Sequence, residues 1–527
     1  MTKNLHWWQY GVIYQLIVRS FFDTNGDGEG DLPGVINKLD YIQSLGIEAI
    51  WLSPIYPSPM AEFGYDVTDY TDIHPLFGTL NDFDALVTQA HDRGIKIILD
   101  WIPNHTSDQH PWFMESRSSR DNPKRDWYIW RDPKPDGAPP SNWISVFGGS
   151  VWEWSNETDQ YYCHTFLKEQ PDLNWRNPEV QQAMLDVLRF WLERGVDGFR
   201  IDATCLLIKD DQFRDNPPNP DYQPDQAPDK AVLPKYTRDQ PTVHDVFAMI
   251  RRVVDDYDDR MLAGELYLPI EKVVSYYGKQ APELHLPLNL QLAWSPWNAD
   301  KLASTIDHYE NQLPAEGWPT WTISTHDSTR IASRAQGEQA RVAAMLHMTL
   351  RGTPTLYYGA EIGMQDVPIA PEQEEDPQGK RTDRSRDPFR TPMQWDNREH
   401  AGFTSGQPWL PVAEDFSTVN VAVQHNDPHS LLNLYRRLIN LRRCEPTLIS
   451  GAYISVPRKD PFIAYQRQGG ERRLLVVLNL SAEPQNFNIG EGGRHGRILL
   501  STFMNREKEE VHGVVELRGN EGVIIVV

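Results

Sequence analysis

Eight apolar runs, several of them separated by amphipathic stretches, constrain the fold of this chain more than any other feature. They are GVIYQLIV from Gly11, AIWLSPI from Ala49, KIILDWI from Lys96, GFRID from Gly198, MLAGEL from Met261, ELHLPLNL from Glu283, TWTISTHD from Thr320 and TPTLYYG from Thr353. At 81–93, 178–194, 243–254 and 339–350 apolar residues recur at helical spacing. Strand alternating with helix in this way predicts an α/β fold, a (β/α)8 TIM barrel, whose reactive groups gather at the C-terminal ends of parallel strands. Four acids fall at such ends: Asp100 in DWIPNH, Asp202 in GFRIDA, Glu265 in AGEL and Asp327 in THD.

At 527 residues the chain is longer than an ordinary barrel and has room for insertions and a further domain. From 104 to 170, aromatic, Pro and Gly residues are dense and helical periodicity is poor, which predicts a small loop-rich domain inserted after the third strand. The barrel then comprises 1–103 and 171–445. From 446 to 527 short alternating strands such as FIAYQRQ, RLLVVLNL and GVIIVV predict a C-terminal antiparallel β domain, expected as a β-sandwich. Two polar insertions, DNPPNPDYQPDQAPDK after the fourth strand and PEQEEDPQGKRTDRSRD after the eighth, read equally as the rim of an entrance or as plain surface loops.

Fifty-one basic against 74 acidic residues give a net charge of −23, which disfavours nucleic acid and anionic membrane as partners and is compatible with a neutral small-molecule substrate. The opening MTKNLHWWQY lacks the pattern of a secretory leader, and no run reaches the eighteen apolar residues of a membrane span, so a soluble cytoplasmic protein is expected. Cys163, Cys205 and Cys444 are too scattered for a disulfide framework or a thiolate metal site. Oligomeric state is not legible.

The acids suggest a chemistry. Two carboxyls about 5 Å apart split a glycosidic bond with retention, one attacking the anomeric carbon while the other protonates the departing oxygen. Asp202 and Glu265 are the natural pair. Arg200 lies two residues before Asp202, on the same face of one strand, and is expected to keep that aspartate ionised. Glu265, among apolar neighbours, is expected to have a raised pKa suited to a general acid. Asp327 would hold sugar hydroxyls, with His105 and His326 as neutral donors. Each residue alone has an ordinary explanation as a cap, a turn or a surface acid. Four coincident strand-end sites do not.

In this order the segments DWIPNH, GFRIDA, AGEL and THD resemble the signature regions of the α-amylase superfamily of glycoside hydrolases, family 13. QPDLNW at 170–175 resembles the further region that marks its oligo-1,6-glucosidase and α-glucosidase branch, and the similarity runs from WWQYGVIYQL to RTPMQWD at 390–396. The resemblance implies Asp202 as nucleophile, Glu265 as acid/base and Asp327 as transition-state stabiliser. It also implies that Asp66, Tyr65, His105, Arg200, His326 and Arg386 form the pocket for the non-reducing glucose; closure by Asp66 and an arginine would make the enzyme exo-acting. In similar enzymes Val after the nucleophile accompanies α-1,6 preference and a small residue α-1,4; this chain has Ala203. Thr325 where an Asn is usual, and Leu288 and Leu290 where relatives more often carry Phe, leave acceptor specificity open.

DTNGDGEGD offers side-chain oxygens at Asp23, Asn25, Asp27 and Asp31 and a backbone carbonyl at Glu29 to a hard cation, with glycines for the tight turn. It is not a full EF-hand, and an acidic turn without metal is the alternative. The resemblance implies a structural Ca²⁺ or Mg²⁺. The reading as a whole is an exo-acting, retaining α-glucosidase acting on maltose and short α-glucosides, with transglucosylation when an acceptor outcompetes water. The alternatives are a trehalose synthase or sucrose-active isomerase of the same family, and a non-catalytic barrel like those of amino-acid transporter heavy chains.

Overall fold

The computed structural model describes residues 5–527 apart from 224, 225, 227, 383, 458, 459 and 491–494. Eight parallel strands form one sheet: Ile13–Leu16, Ala49–Leu52, Lys96–Trp101, Gly198–Ile201, Met261–Leu266, Leu286–Asn289, Thr320–Thr322 and Thr353–Tyr357. Neighbours in sequence pair in register, Ile13 with Ala49, Ala49 with Lys96 and Leu99 with Phe199, and the last strand returns to pair with the first through Ile13 and Thr355. Between Leu286–Asn289 and Thr320–Thr322 the ring closes through the Asn289 N–H, which donates to Thr320 Oγ1 at 3.1 Å.

These strands read as unbroken apolar runs because both faces are buried, as in all-parallel sheets. Their period of two still divides the side chains. Ile13, Ala49, Trp51, Ile98, Met261, Ala263, Leu286 and Leu288 point inward and, with Trp7 and Trp8 beneath, fill the barrel. Tyr14, Leu16, Ile50, Leu52, Leu99, Phe199, Ile201 and Leu262 point outward into a core shared with the helices. Further along the same inward rows come Asp100, Arg200 and Glu265, so the barrel interior is apolar below and ionic above. Gly198 leaves room for this packing, since a Cβ there would lie 2.9 Å from the Met261 carbonyl oxygen.

The surrounding helices begin at local caps. Thr79 accepts the Asp82 N–H while the Asp82 carboxylate takes the Thr79 N–H and hydroxyl, opening Leu80–Asp92. Asn177 caps Pro178–Glu193, where proline at the first turn forfeits no hydrogen bond. That helix buries Val180, Met184, Val187, Leu188 and Trp191, a stripe at helical spacing. Val243–Asp255, Ala299–Gln312, Gln339–Thr349 and Leu431–Cys444 pack likewise.

Between the third and fourth barrel strands lie the helix Pro111–Ser118 and a small antiparallel sheet of Trp130–Arg131, Gln160–Cys163 and Trp152–Ser155. Past Ser450, eight antiparallel strands form one continuous sheet rather than two separate ones. It curls: Phe462 and Phe487, on strands far apart in the sheet order, meet with ring centroids 5.2 Å apart inside a core of their own. The sheet's other face, including Ile463, Tyr465, Leu474 and Val476, joins the main core.

Trp191 ties the helix Pro178–Glu193 to the helix Leu80–Asp92 and to the loop after the second strand. It is fully buried, 4.9 Å from the Phe83 ring, and its indole N–H donates to the Tyr70 carbonyl at 2.8 Å. Trp191→Ala is expected to cost about 3–5 kcal/mol, read as a lower urea midpoint, and Trp191→Phe distinctly less. Equal midpoints for the wild type and Trp191→Ala would contradict this packing.

Candidate active site

Arg200 sits at the top of the barrel interior, 1% exposed, and one guanidinium serves three acids. Its Nη1 donates to Asp100 at 2.6 Å and to Asp202 at 2.9 Å, and its Nη2 contacts Glu265. The two carboxyls paired from sequence are therefore held on adjacent nitrogens of one rigid fork. The strand ends at Ile201 and the chain turns through Asp202 and Ala203, which has φ +51° and donates its N–H to Glu265 Oε2 at 3.3 Å. A left-handed alanine costs on the order of 1–2 kcal/mol, and here it sits between the two acids.

The sequence-based expectation that Arg200 keeps Asp202 ionised is incomplete. Burial drives Asp202 upward, and because the pull of Arg200 is divided while Glu265 and Asp100 repel, its carboxyl is raised well above the usual range. Burial raises Glu265 as well, against the same guanidinium. Both members of the pair are thus shifted upward, each by burial and by the charge of neighbouring acids.

Asp327 takes the opposite environment. Burial would raise it, but His326, Arg386 and Arg390 bring it well below the ordinary carboxylate range. Burial holds His326 neutral, with its pKa down at about 3, so the two guanidiniums carry the effect. Arg390 Nη2 lies 2.7 Å and Arg386 Nη1 3.4 Å from Asp327 Oδ1. His326 is fixed by Gln15 at 2.7 Å and by the Tyr65 hydroxyl at 2.9 Å, which also reaches Asp100 at 3.1 Å. His105, lowered by burial to about 4, meets Gln170 at 2.9 Å and the Tyr65 carbonyl at 3.2 Å.

These groups surround a cavity of about 300 Å³. Asp202, Glu265 and Asp327 line it together with Tyr65, His105, Ala203, His326 and Arg386, while Arg200 supports the acids from beneath. Asp66 is a correction: it does not line the cavity. Its carboxylate accepts from Ser58 Oγ and from the Ala61 and Glu62 N–H groups, each at 2.9 Å, and so shapes the loop behind the wall. The acid this loop presents is Glu62, which pairs with Arg386 at 2.5 Å and is pushed up by burial to about 7. Asp376 holds Arg386 from the other side at 2.6 Å. Sequence reasoning also missed Phe147, Phe166, Gln170, Tyr267 and Trp294 as lining residues. Gln170 had a signal, since it opens QPDLNW. Glu62 lies in a loop, where no periodicity marks which acid points inward.

QPDLNW returns from the inserted segment and is anchored by a buried ion pair. Lys209 Nζ contacts Asp172 at 2.9 Å and donates to Asn104 Oδ1 at 2.7 Å, and Asn104 in turn donates to Asp172 at 3.0 Å. His105, between them, is bridged to Asp172 through the backbone.

The residues assigned from sequence to a metal lie elsewhere, and none lines the cavity. Asp23 accepts the N–H groups of Asn25, Gly26 and Gly28; Asp27 accepts that of Glu29; and Asp31 accepts Thr24 and caps the helix Leu32–Asn37. The Glu29 carboxylate pairs with Arg19, leaving its carbonyl as the expected donor. The donor set is all oxygen, as a hard cation requires, although among the described residues no three acidic, histidine or cysteine side chains gather as a metal cluster. The described cysteines are unpaired, and no described helix is long and apolar enough to cross a membrane.

Residues 15–451 match the alpha-amylase catalytic domain family. A probable α-glucosidase of Rhizobium meliloti is 41% identical over 501 residues, covering 92% of this chain and 91% of that protein. An oligo-1,6-glucosidase of Parageobacillus thermoglucosidasius is 38% identical over 549 residues, covering 96% of each. The crystal structure of an alpha-glucosyl transfer enzyme, XgtA, superposes with a TM-score of 0.94 at 39% identity over 99% of this chain and all of that one.

Removing one partner of the Lys209–Asp172 pair strands a buried charge. Lys209→Met is expected to cost about 3–5 kcal/mol, and adding Asp172→Asn should recover part of that loss in denaturant unfolding. A double variant less stable than the single one would show that the pair does not work this way.

Proposed function

The chain belongs to the α-amylase family of glycoside hydrolases, and on that premise we propose that it is an exo-acting, retaining α-glucosidase. It releases glucose from the non-reducing end of maltose and short α-glucosides. The observation that carries this reading is the single guanidinium that binds both Asp202 and Glu265 at the floor of a cavity closed at its far end by Glu62 and Arg386.

In this mechanism Asp202 attacks the anomeric carbon as Glu265 gives its proton to the departing oxygen, forming a glucosyl ester; Glu265 then takes a proton from the incoming water or alcohol. Glu265 Oε2, whose one hydrogen bond among the described residues is the long one from the Ala203 N–H, is the oxygen from which the proton is given. Asp327, kept ionised by Arg386 and Arg390, holds sugar hydroxyls and stabilises the developing cation. Around this centre six carboxyls, Glu62, Asp100, Asp202, Glu265, Asp327 and Asp376, face three guanidiniums, Arg200, Arg386 and Arg390. That imbalance suits an oxocarbenium-like transition state more than a neutral ground state.

The Glu62–Arg386–Asp376 wall supports exo action, since a chain continuing past the non-reducing unit would meet buried charge. Ala203 supports an α-1,4 preference: a β-branched residue at φ +51° would be strained as well as bulkier beside the leaving sugar. The open end of the cavity supports transglucosylation to sugars or alcohols. A cytoplasmic setting suits the unpaired cysteines. The loop from Asp23 to Asp31 is proposed to hold a structural Ca²⁺ or Mg²⁺, on the strength of its oxygen donors alone.

Incubation with maltose, isomaltose and sucrose is expected to give free glucose fastest from maltose. Trehalose or an isomerised disaccharide as main product would favour the isomerase alternative instead. Asp202→Asn is expected to lower kcat by about 10³-fold or more while maltose still binds in calorimetry; near-native turnover would end the nucleophile assignment. Chelation is expected to lower the melting temperature and leave KM little changed, whereas an unaltered melting temperature would remove the ion from this account.

A further inference from the structure

Gln15 does not line the cavity, yet it is 1% exposed at the top of the first barrel strand, on the inward row two residues beyond Ile13. A primary amide placed there loses its hydration, and its Oε1 is buried without a partner among the described residues. The one hydrogen bond its side chain makes among those residues is to His326 Nδ1, at 2.7 Å. An amide buried at that cost for a single bond needs a reason beyond packing.

The proton positions around His326 follow from its neighbours. Each described group that hydrogen-bonds to the Asp100 side chain is a donor: Arg200 Nη1 at 2.6 Å, Trp51 Nε1 at 3.3 Å and the Tyr65 hydroxyl at 3.1 Å. The Tyr65 hydroxyl has a single proton and directs it there, so its oxygen must accept from His326 Nε2, 2.9 Å away. Asp327 leads to the same assignment, because Nε2 lies 3.3 Å from its Oδ2: a bare nitrogen lone pair would repel that carboxylate, whereas an N–H attracts it. Burial holds the ring neutral, with its pKa at about 3, so one nitrogen alone carries a proton. Nδ1 is therefore bare, and the Gln15 amide meets it with an N–H rather than with its carbonyl.

We infer that Gln15 is a positioning residue for the reaction: by donating to Nδ1 it holds His326 as an Nε2–H donor aimed at Asp327 Oδ2 and at the sugar hydroxyls beside it. Other groups fix the rest of His326. The Tyr65 ring stacks on the imidazole with centroids 6.0 Å and planes 5° apart, and the His326 carbonyl accepts from Arg390 Nε at 2.8 Å. Stacking still permits a half-turn about the Cβ–Cγ bond, which keeps the ring plane but exchanges Nδ1 for Cδ2 and takes Nε2 away from Asp327. Gln15 opposes that half-turn, since a carbon in the place of Nδ1 would leave its amide unpaired. This inference rests on the α-glucosidase reading, which gives His326 and Asp327 their part in the reaction.

A double-mutant cycle on maltose tests it. Gln15→Met keeps the length of the side chain and removes the donor, and kcat is expected to fall about 10- to 100-fold with KM much less changed. In a His326→Gln background, where no ring is left to position, the same substitution is expected to change kcat by less than about 2-fold. Equal falls in both backgrounds would make Gln15 a packing residue and overturn the inference, as would a Gln15→Met enzyme with native kcat. A second measurement needs no variant at Gln15. In wild-type enzyme labelled with 15N-histidine, the His326 signals, identified by their loss in His326→Gln, are expected to show a protonated Nε2 and a bare Nδ1; a proton on Nδ1 would overturn the inference as well. None of these outcomes touches the α-glucosidase reading, which fails instead if the wild type releases no glucose from maltose.

Discussion

The buried guanidinium of Arg200 is the interaction on which the reacting layer depends. Three carboxyls converge on it at the top of the barrel, where none would be tolerated alone: an uncompensated charge in such a place costs several kcal/mol. The converse also holds, because Arg200 could not be buried without them. Its location follows from the strand period. Asp202 follows Arg200 by two residues, just past the strand end, Asp100 is the register partner of Arg200 on the neighbour, and Glu265 is the last but one residue of the strand on the other side.

Charge at this centre is arranged by division rather than by pairing. Asp202 and Glu265 share one cation and are driven up by burial, whereas Asp327 has two guanidiniums and is held well below the ordinary carboxylate range. Acids of similar chemistry are thus shifted in opposite directions within one cavity. The same economy operates at the wall, where Arg386 joins Glu62, Asp376 and Asp327, tying a loop after the second strand to one after the eighth.

Much of this was legible in the sequence, and the boundary between legible and hidden is physical. All eight barrel strands were readable because parallel strands buried on both faces must be apolar throughout, and Asp202, Glu265 and Asp327 were readable because they interrupt or end those runs. The loops were not. Asp66 and Glu62 are four residues apart in a segment without period, and which of them faces the cavity is decided by three hydrogen bonds that turn Asp66 inward against its own loop. The curl of the C-terminal sheet was hidden for a similar reason: alternation shows that strands have two faces, not which distant strands those faces meet.

The seam where the ring closes, between Leu286–Asn289 and Thr320–Thr322, is held differently from its neighbours, with a threonine hydroxyl standing in for a backbone ladder. Strands from near residue 13 to beyond residue 350 must all be in place before this seam can shut. Catalytic competence, which needs acids from the ends of the third, fourth, fifth and seventh strands, therefore belongs to the closed ring as a whole and to no single part of it.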